Sequence, residues 1–266
     1  MLLITVGFWL VPQSARFSID AKTEVMTITS INSAPLSDWG EISGFVVTPQ
    51  AGDCLAARLV LNEPPPAGTV AVATAEPEGL QIAFKSPNGE SLGLLTCGQQ
   101  APRPAPDYFV AVWPPEARTT LRISGDIILG AEISRSAQTA KVLREGTISL
   151  FASSWPFRTG SVTSDLTLRL GDEVRFLDGD VNAAPGFGLL RLDDDLIHVV
   201  AHVRAHEAQV VRPGQEQGQA LVVAPTFLQR VYAQAEWAII LLTATLALNF
   251  LGTLMSVAAT KPDAHS

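Results

Sequence analysis

From Ser18 to Pro225 the chain is written in short apolar runs, many alternating with polar residues and separated by turn signals. EVMTITSI, EISGFVV, AARLVL, TVAVAT, LQIAF, SLGLL and YFVAVW come first. TTLRISG, DIILGAEI, TISLFA, SDLTLRL, EVRFL and FGLLRL follow. Alternation places every second side chain on one face of an extended strand. Strands recurring about every 8–12 residues predict sandwiches or a barrel, not βαβ units. Asn88-Gly89 and Asp178-Gly179 are dipeptides of the kind that turn hairpins. SAQTAKVLRE (Ser136 to Glu145), with Gly146 as its stop, is the short helix that the pattern predicts. The proline-dense stretch Ala101 to Ala117 separates two expected β modules, 18–105 and 118–224, or else crosses one larger sandwich.

The pattern changes near the C-terminus, where WAIILLTATLALNFLGTLMSVAA (Trp237 to Ala259) runs without a charge. As a helix rising about 1.5 Å per residue it reaches about 34 Å, enough for a hydrocarbon core of roughly 30 Å. Tyr232 and Trp237 stand where interfacial aromatics belong. The expected fold is therefore all-β, one or two sandwich-like modules followed by a single transmembrane helix. Residues 225–236 form a juxtamembrane helix and 260–266 a tail. Within the span, Ala238, Thr245, Gly252 and Ala259 recur at heptad spacing, and Asn249 and Ser256 each fall four residues after a member of that series. Thr245, Asn249, Gly252 and Ser256 thus make a small and polar seam suited to close helix contact, with a cross-helix hydrogen bond from the Asn amide. The commonness of Ala, Thr and Gly in spans is the plainer account of the same residues.

At the other end, MLLITVGFWLV is apolar apart from Thr5 and is ended by PQSAR. Residues 1–15 read as an export signal or short anchor, although no basic residue opens them, and a first strand is the alternative. Export places the β region outside the cytoplasm. A tail-anchored protein with a cytosolic domain is the competing topology, because Arg230 and Lys261 flank the span evenly.

Composition narrows the partners. Eighteen Lys and Arg against 26 Asp and Glu give a net charge of -8, with no basic stripe, which argues against nucleic acid. The lipid bilayer and another transmembrane helix are the expected partners. Cys54 and Cys97 lack zinc-knuckle or CxxC spacing. In an oxidising compartment they would form one disulfide, and otherwise two buried thiols.

Chemistry is sparse. His198, His202 and His206 stand at four-residue intervals in DDDLIHVVAHVRAHEAQVVRPG. In a helix, neighbouring imidazoles would bind one metal; in a strand, they lie about 13 Å apart and cannot. Ile197, Val199, Ala201, Val203 and Ala205 alternate with a mainly polar set, and a Pro-Gly hairpin follows, so the strand is preferred and the histidines become a docking face. Neither a metal site nor a cofactor is expected. LDGDVNAAPG opens like a calcium loop at Asp178, Asp180 and Asn182, but Ala183 and Leu189 stand where Gly and Glu belong, leaving a turn. Trp113-Pro114 and Trp155-Pro156 fit the plugging of sandwich ends better than sugar stacking. No GxSxG, SxxK, phosphate loop or HExxH occurs. The expected function is a non-catalytic binding or scaffolding subunit of a membrane complex. The alternatives are a tethered enzyme acting on envelope glycans or lipids, and an ectodomain ligand sensor.

Overall fold

The structure, a computed structural model, describes residues 15–30, 41–47, 54–62, 66–115, 120–130, 141–152, 161–179, 183–215, 219–224, 242–243 and 245–251. Over these residues the chain is predominantly β. The strands are β1 (Ala15–Thr23), β2 (Val25–Thr29), β3 (Glu41–Val47), β4 (Cys54–Leu61), β5 (Val70–Glu76), β6 (Gly79–Lys85), β7 (Gly93–Cys97), β8 (Arg103–Pro104) and β9 (Tyr108–Trp113), followed by β10 (Thr120–Leu129), β11 (Leu143–Ala152), β12 (Ser161–Leu168), β13 (Glu173–Leu177), β14 (Pro185–Asp193), β15 (Leu196–Ala205), β16 (Glu207–Val211) and β17 (Leu221–Val223).

Every described pairing is antiparallel, and the pairings form one continuous ladder. Read across it, the strands run β12–β11–β1–β15–β14–β10–β2–β5–β6–β9–β3–β4–β7–β8. β13, β16 and β17 branch from the end of β10. Two places carry the ladder from the strands of the second half to those of the first. At Glu24 the first strand kinks: β1 pairs with β11 and β15, while β2 pairs with β5 and β10. The kink keeps its backbone groups bonded, Glu24 N to Val142 O at 3.0 Å and Ala75 N to Glu24 O at 3.0 Å, as buried polar backbone requires. In β10, Asp126 pairs with Thr29 on one edge and Pro185 on the other. Gly125 permits this crossing with a φ of 143°, and its backbone lies against Thr29.

A single hydrophobic cluster spans both stretches, including Phe17, Ile19, Ile28, Phe84, Trp113, Ile127, Phe176 and Val199. Trp113 is buried within it rather than exposed beside a ligand; Trp155 lies outside the described residues. The Arg212-Pro213-Gly214-Gln215 turn closes as expected, with Gly214 at φ 81° and Gln215 N bonded to Arg212 O at 3.0 Å, and β16 pairs with β17 beyond it. Asn88-Gly89 and Asp178-Gly179 do turn the chain, but the flanking β6 and β7 do not pair with each other, and β13 meets the residues just before β14 through the bridge Leu177–Ala183 and the bond from Ala184 N to Phe176 O.

The expected helix at Ser136 to Glu145 is corrected at its end. Leu143, Arg144 and Glu145 open β11, and the rest of that stretch up to 140 lies outside the described residues. Gly146 is not a helix stop. It lets β11 close on β1, because a Cβ there would meet Ala21 Cβ at 2.7 Å.

Among the described residues no helix is long and apolar enough to cross a membrane. The described helical stretch is 245–251, with 242–243 also helical. The rest of the run from Trp237 to Ala259, with Gly252 and Ser256, lies outside the described residues, as do 1–14. Leu242, Leu246, Leu248, Phe250 and Leu251 are all exposed.

Candidate functional site

The outward face of β12, β11, β1, β15, β14 and the first half of β10 carries His198 and His202, two of the residues that the sequence singles out. Its inner residues alternate strictly with its outer ones. In β15, Ile197, Val199, Ala201, Val203 and Ala205 are buried, while Val200, His202 and Arg204 are exposed and His198 is half-buried. In β1, Phe17, Ile19 and Ala21 point in, and Arg16, Ser18, Asp20 and Lys22 point out. The strand reading of the histidine segment is thus what the structure contains. β15 ends at Ala205, however, so the face holds two histidines rather than three. His206 sits in the bend before β16, its backbone N bonded to Leu177 O at 2.9 Å and its Nδ1 bonded to the Asp178 carboxylate.

Register sets the neighbours. Arg16 lies opposite Arg204, Ser18 opposite His202, Asp20 opposite Val200 and Lys22 opposite His198. On the other edge of β15, Phe187 lies opposite His202, Leu189 opposite Val200 and Arg191 opposite His198. Phe187, Leu189 and Val200 are 64%, 47% and 36% exposed. The Phe187 ring tilts against His202 with centroids 5.7 Å apart. An apolar strip therefore crosses β14 and β15, with basic groups at both ends.

Towards β11 the face is polar and mildly concave. A depression of about 490 Å³ is lined by Asp20, Lys22, Glu145, Thr147, Ser149 and Thr167 among others. Its charges are already matched: His198 Nε2 donates to Asp20 Oδ1 at 2.7 Å, and Lys22 Nζ lies 3.9 Å from Glu145 Oε1. An imidazole held by a carboxylate is half of a base-activated nucleophile. The other half is missing among the described residues, where no hydroxyl is bonded to either imidazole of the face. No group of three His, Cys, Asp or Glu side chains is clustered for a metal there either. Asp193 to Asp195 turn the β14–β15 hairpin, with Asp194 at φ 53°, a conformation that Asp tolerates; residues 180–182 lie outside the described ones.

Comparison finds no matching family, no matching curated sequence and no matching solved structure.

The reading from sequence missed β1 altogether. Its alternation in ARFSIDAKT was the available signal, masked by its position after the apolar N-terminal run. It also missed Phe187, Leu189 and the Arg16–Arg204 pair, which only cross-strand register brings together. Thr245 and Asn249, one turn apart on one side of the helix, are both exposed.

Further along β10, Asp126 is perturbed: burial raises its carboxyl pKa, and the charge of Arg175 only partly offsets this. Folding then favours the protonated acid. The associated stability is fully present below the unfolded pKa of about 3.9, and it is lost as pH rises through the higher folded value. Asp126→Asn is therefore expected to raise Tm at neutral pH and to leave it unchanged near pH 3. A variant less stable than the parent at neutral pH would show that the ionised carboxylate is needed by the fold.

Proposed function

We propose that the protein is a non-catalytic binding or scaffolding subunit of a membrane complex. Its sandwich-like β region, held outside the cytoplasm, presents the face of β1, β15 and β14 to a protein partner. The C-terminal apolar run anchors it and packs against another helix through Thr245, Asn249, Gly252 and Ser256. The observation that carries this reading is the exposed strip of Phe187, Leu189 and Val200 on a paired, well-packed sheet. Large apolar side chains left together in water on a rigid surface are the usual mark of an interaction site. Two further features support it. The described helix exposes leucines and a phenylalanine around its circumference, a pattern suited to lipid or to another helix. Cys54 opens β4 and Cys97 ends β7, its hydrogen-bonded neighbour, with Cys97 in register with Ala57; the disulfide proposed between them belongs to an oxidising compartment.

The test uses the full chain in its own cell membrane, with a photo-crosslinking residue at position 187 and, as a control, at Arg58 on β4. A discrete adduct is expected from position 187 only. Phe187→Asp should then abolish association of that adducted partner, measured by co-purification in mild detergent, while Tm stays within a few degrees of the parent. Identical adduct patterns at 187 and 58 would remove the docking face from the account.

A further inference from the structure

Arg16 and Arg204 stand directly opposite each other on β1 and β15, both exposed. Like charges in that position repel and weaken the strand pair. Neither guanidinium forms an ion pair among the described residues, although the chain carries a net charge of -8 and acids outnumber bases. The folded chain alone gains nothing from this pair. Two residues along, the apolar strip begins with His202 and Phe187, continues through Val200 and Leu189, and ends at His198 and Arg191. Arg122 flanks it on β10, opposite Leu189. From Arg204 to His198 the distance along the strand is about 20 Å. Apolar and aromatic groups ringed by arginines make up the composition of interface hot spots.

We infer that this face recognises an acidic, amphipathic segment of a partner protein. Carboxylates at one end of the segment bridge Arg16 and Arg204. Apolar side chains cover Phe187, Leu189 and Val200, and a second acidic group meets Arg191, which Asp193 on its own strand approaches only to 3.7 Å; His198 is already bonded to Asp20. A helix of about 13 residues has the required length. A lipid headgroup layer fits less well, because Asp20 and Asp193 lie on the same face and a flat sheet cannot insert its apolar strip below the phosphates. The inference rests on the docking role proposed above and adds the chemistry of the partner.

The test uses the full chain in mild detergent and three probes: a labelled helical peptide of about 13 residues with Glu in its first and last turns and Leu at its centre, its Gln-for-Glu analogue, and mixed phosphatidylcholine–phosphatidylserine vesicles. The Glu peptide is expected to bind in a salt-sensitive manner, and the Gln analogue at least about tenfold more weakly. Arg204→Glu places an acid opposite Arg16. It should raise Tm while lowering affinity for the Glu peptide at least about tenfold, and Arg58→Gln should do neither. A merely structural arginine would not move stability and binding in opposite directions. Equal binding of the two peptides, with Phe187→Asp abolishing both, would overturn the acidic assignment and leave the docking face intact. Failure of the Glu peptide to bind, or a vesicle affinity that alone responds to Arg204→Glu, would overturn the assignment as well. Peptide binding that is indifferent to Phe187→Asp would count against the docking face itself.

Discussion

Phe17→Ala is expected to destabilise the fold by about 3–5 kcal/mol, the usual loss for emptying a fully buried phenylalanine site. Phe17 is 0% exposed, and its ring lies 5.7 Å from that of Phe176, tilted by 54°. It projects from β1, which is bonded along its whole length to β15 on one edge and to β11 on the other. A cavity there cannot collapse easily, because both neighbouring strands are pinned by their own ladders. For a domain of this size the loss corresponds to a fall in Tm of about 10 °C. Ser18→Ala, one residue on and facing outward, should change stability by less than about 0.5 kcal/mol. Chemical denaturation of the two variants reads the difference. Equal losses would mean that β1 does not hold the central position on which the candidate site depends.

The second large effect is expected at Gly125. Its φ of 143° lies where L side chains are strained, and a Cβ would meet Thr29 O at 2.5 Å and Ile28 Cγ2 at 3.2 Å. Backbone strain of about 1–3 kcal/mol and overpacking of a further 1–3 kcal/mol put Gly125→Ala at about 2–6 kcal/mol. Gly98→Ala supplies the comparison. That glycine also has a positive φ, 56°, but nothing lies within 4 Å of the added atom, so only the smaller conformational cost applies. The difference between the two Tm values isolates the contact with Thr29. β10 is one of the two links between the halves of the ladder, so the Gly125 variant should also lose cooperativity, with tryptophan fluorescence and far-UV signals ceasing to coincide. Coincident, unshifted transitions would mean that the crossing at Gly125 is not under strain.

Local pattern made much of the fold legible. EISGFVV, YFVAVW and EVRFL coincide with β3, β9 and β13 residue for residue, and the Pro-Gly turn fell where its chemistry placed it. These signals are local: alternation sets which residues share a face, and turn residues set where a run ends. The failures lie where local and non-local requirements conflict. Leu143 and Arg144 suit a helix as well as a strand, and β11 won because Leu143 buries opposite Thr23 while the Glu24 carboxylate bonds the Arg144 guanidinium and, at 3.0 Å, the Val142 N–H. His206 continues the four-residue spacing of His198 and His202, but pairing of β16 with β13 bends the chain there. No spacing rule contains that pairing.

The sequence by itself determined that this is a predominantly β chain with an apolar C-terminal run, few charges and no recurrent catalytic motif. Those properties follow from composition and from periods of two to four residues. Only the tertiary structure decided which side of β14 faces water. FGLLRL alternates with Phe187, Leu189 and Arg191 on one face and Gly188, Leu190 and Leu192 on the other, and both faces carry apolar residues. The close approach of β14 to β15 decides between them, since a side chain at Gly188 would strike the Ala201 backbone at 2.6 Å. Gly186 and Gly188 go in beside the buried Leu190, and Phe187 and Leu189 go out with Arg191. The candidate docking face exists because backbone proximity between distant segments outranks the hydrophobicity of single residues.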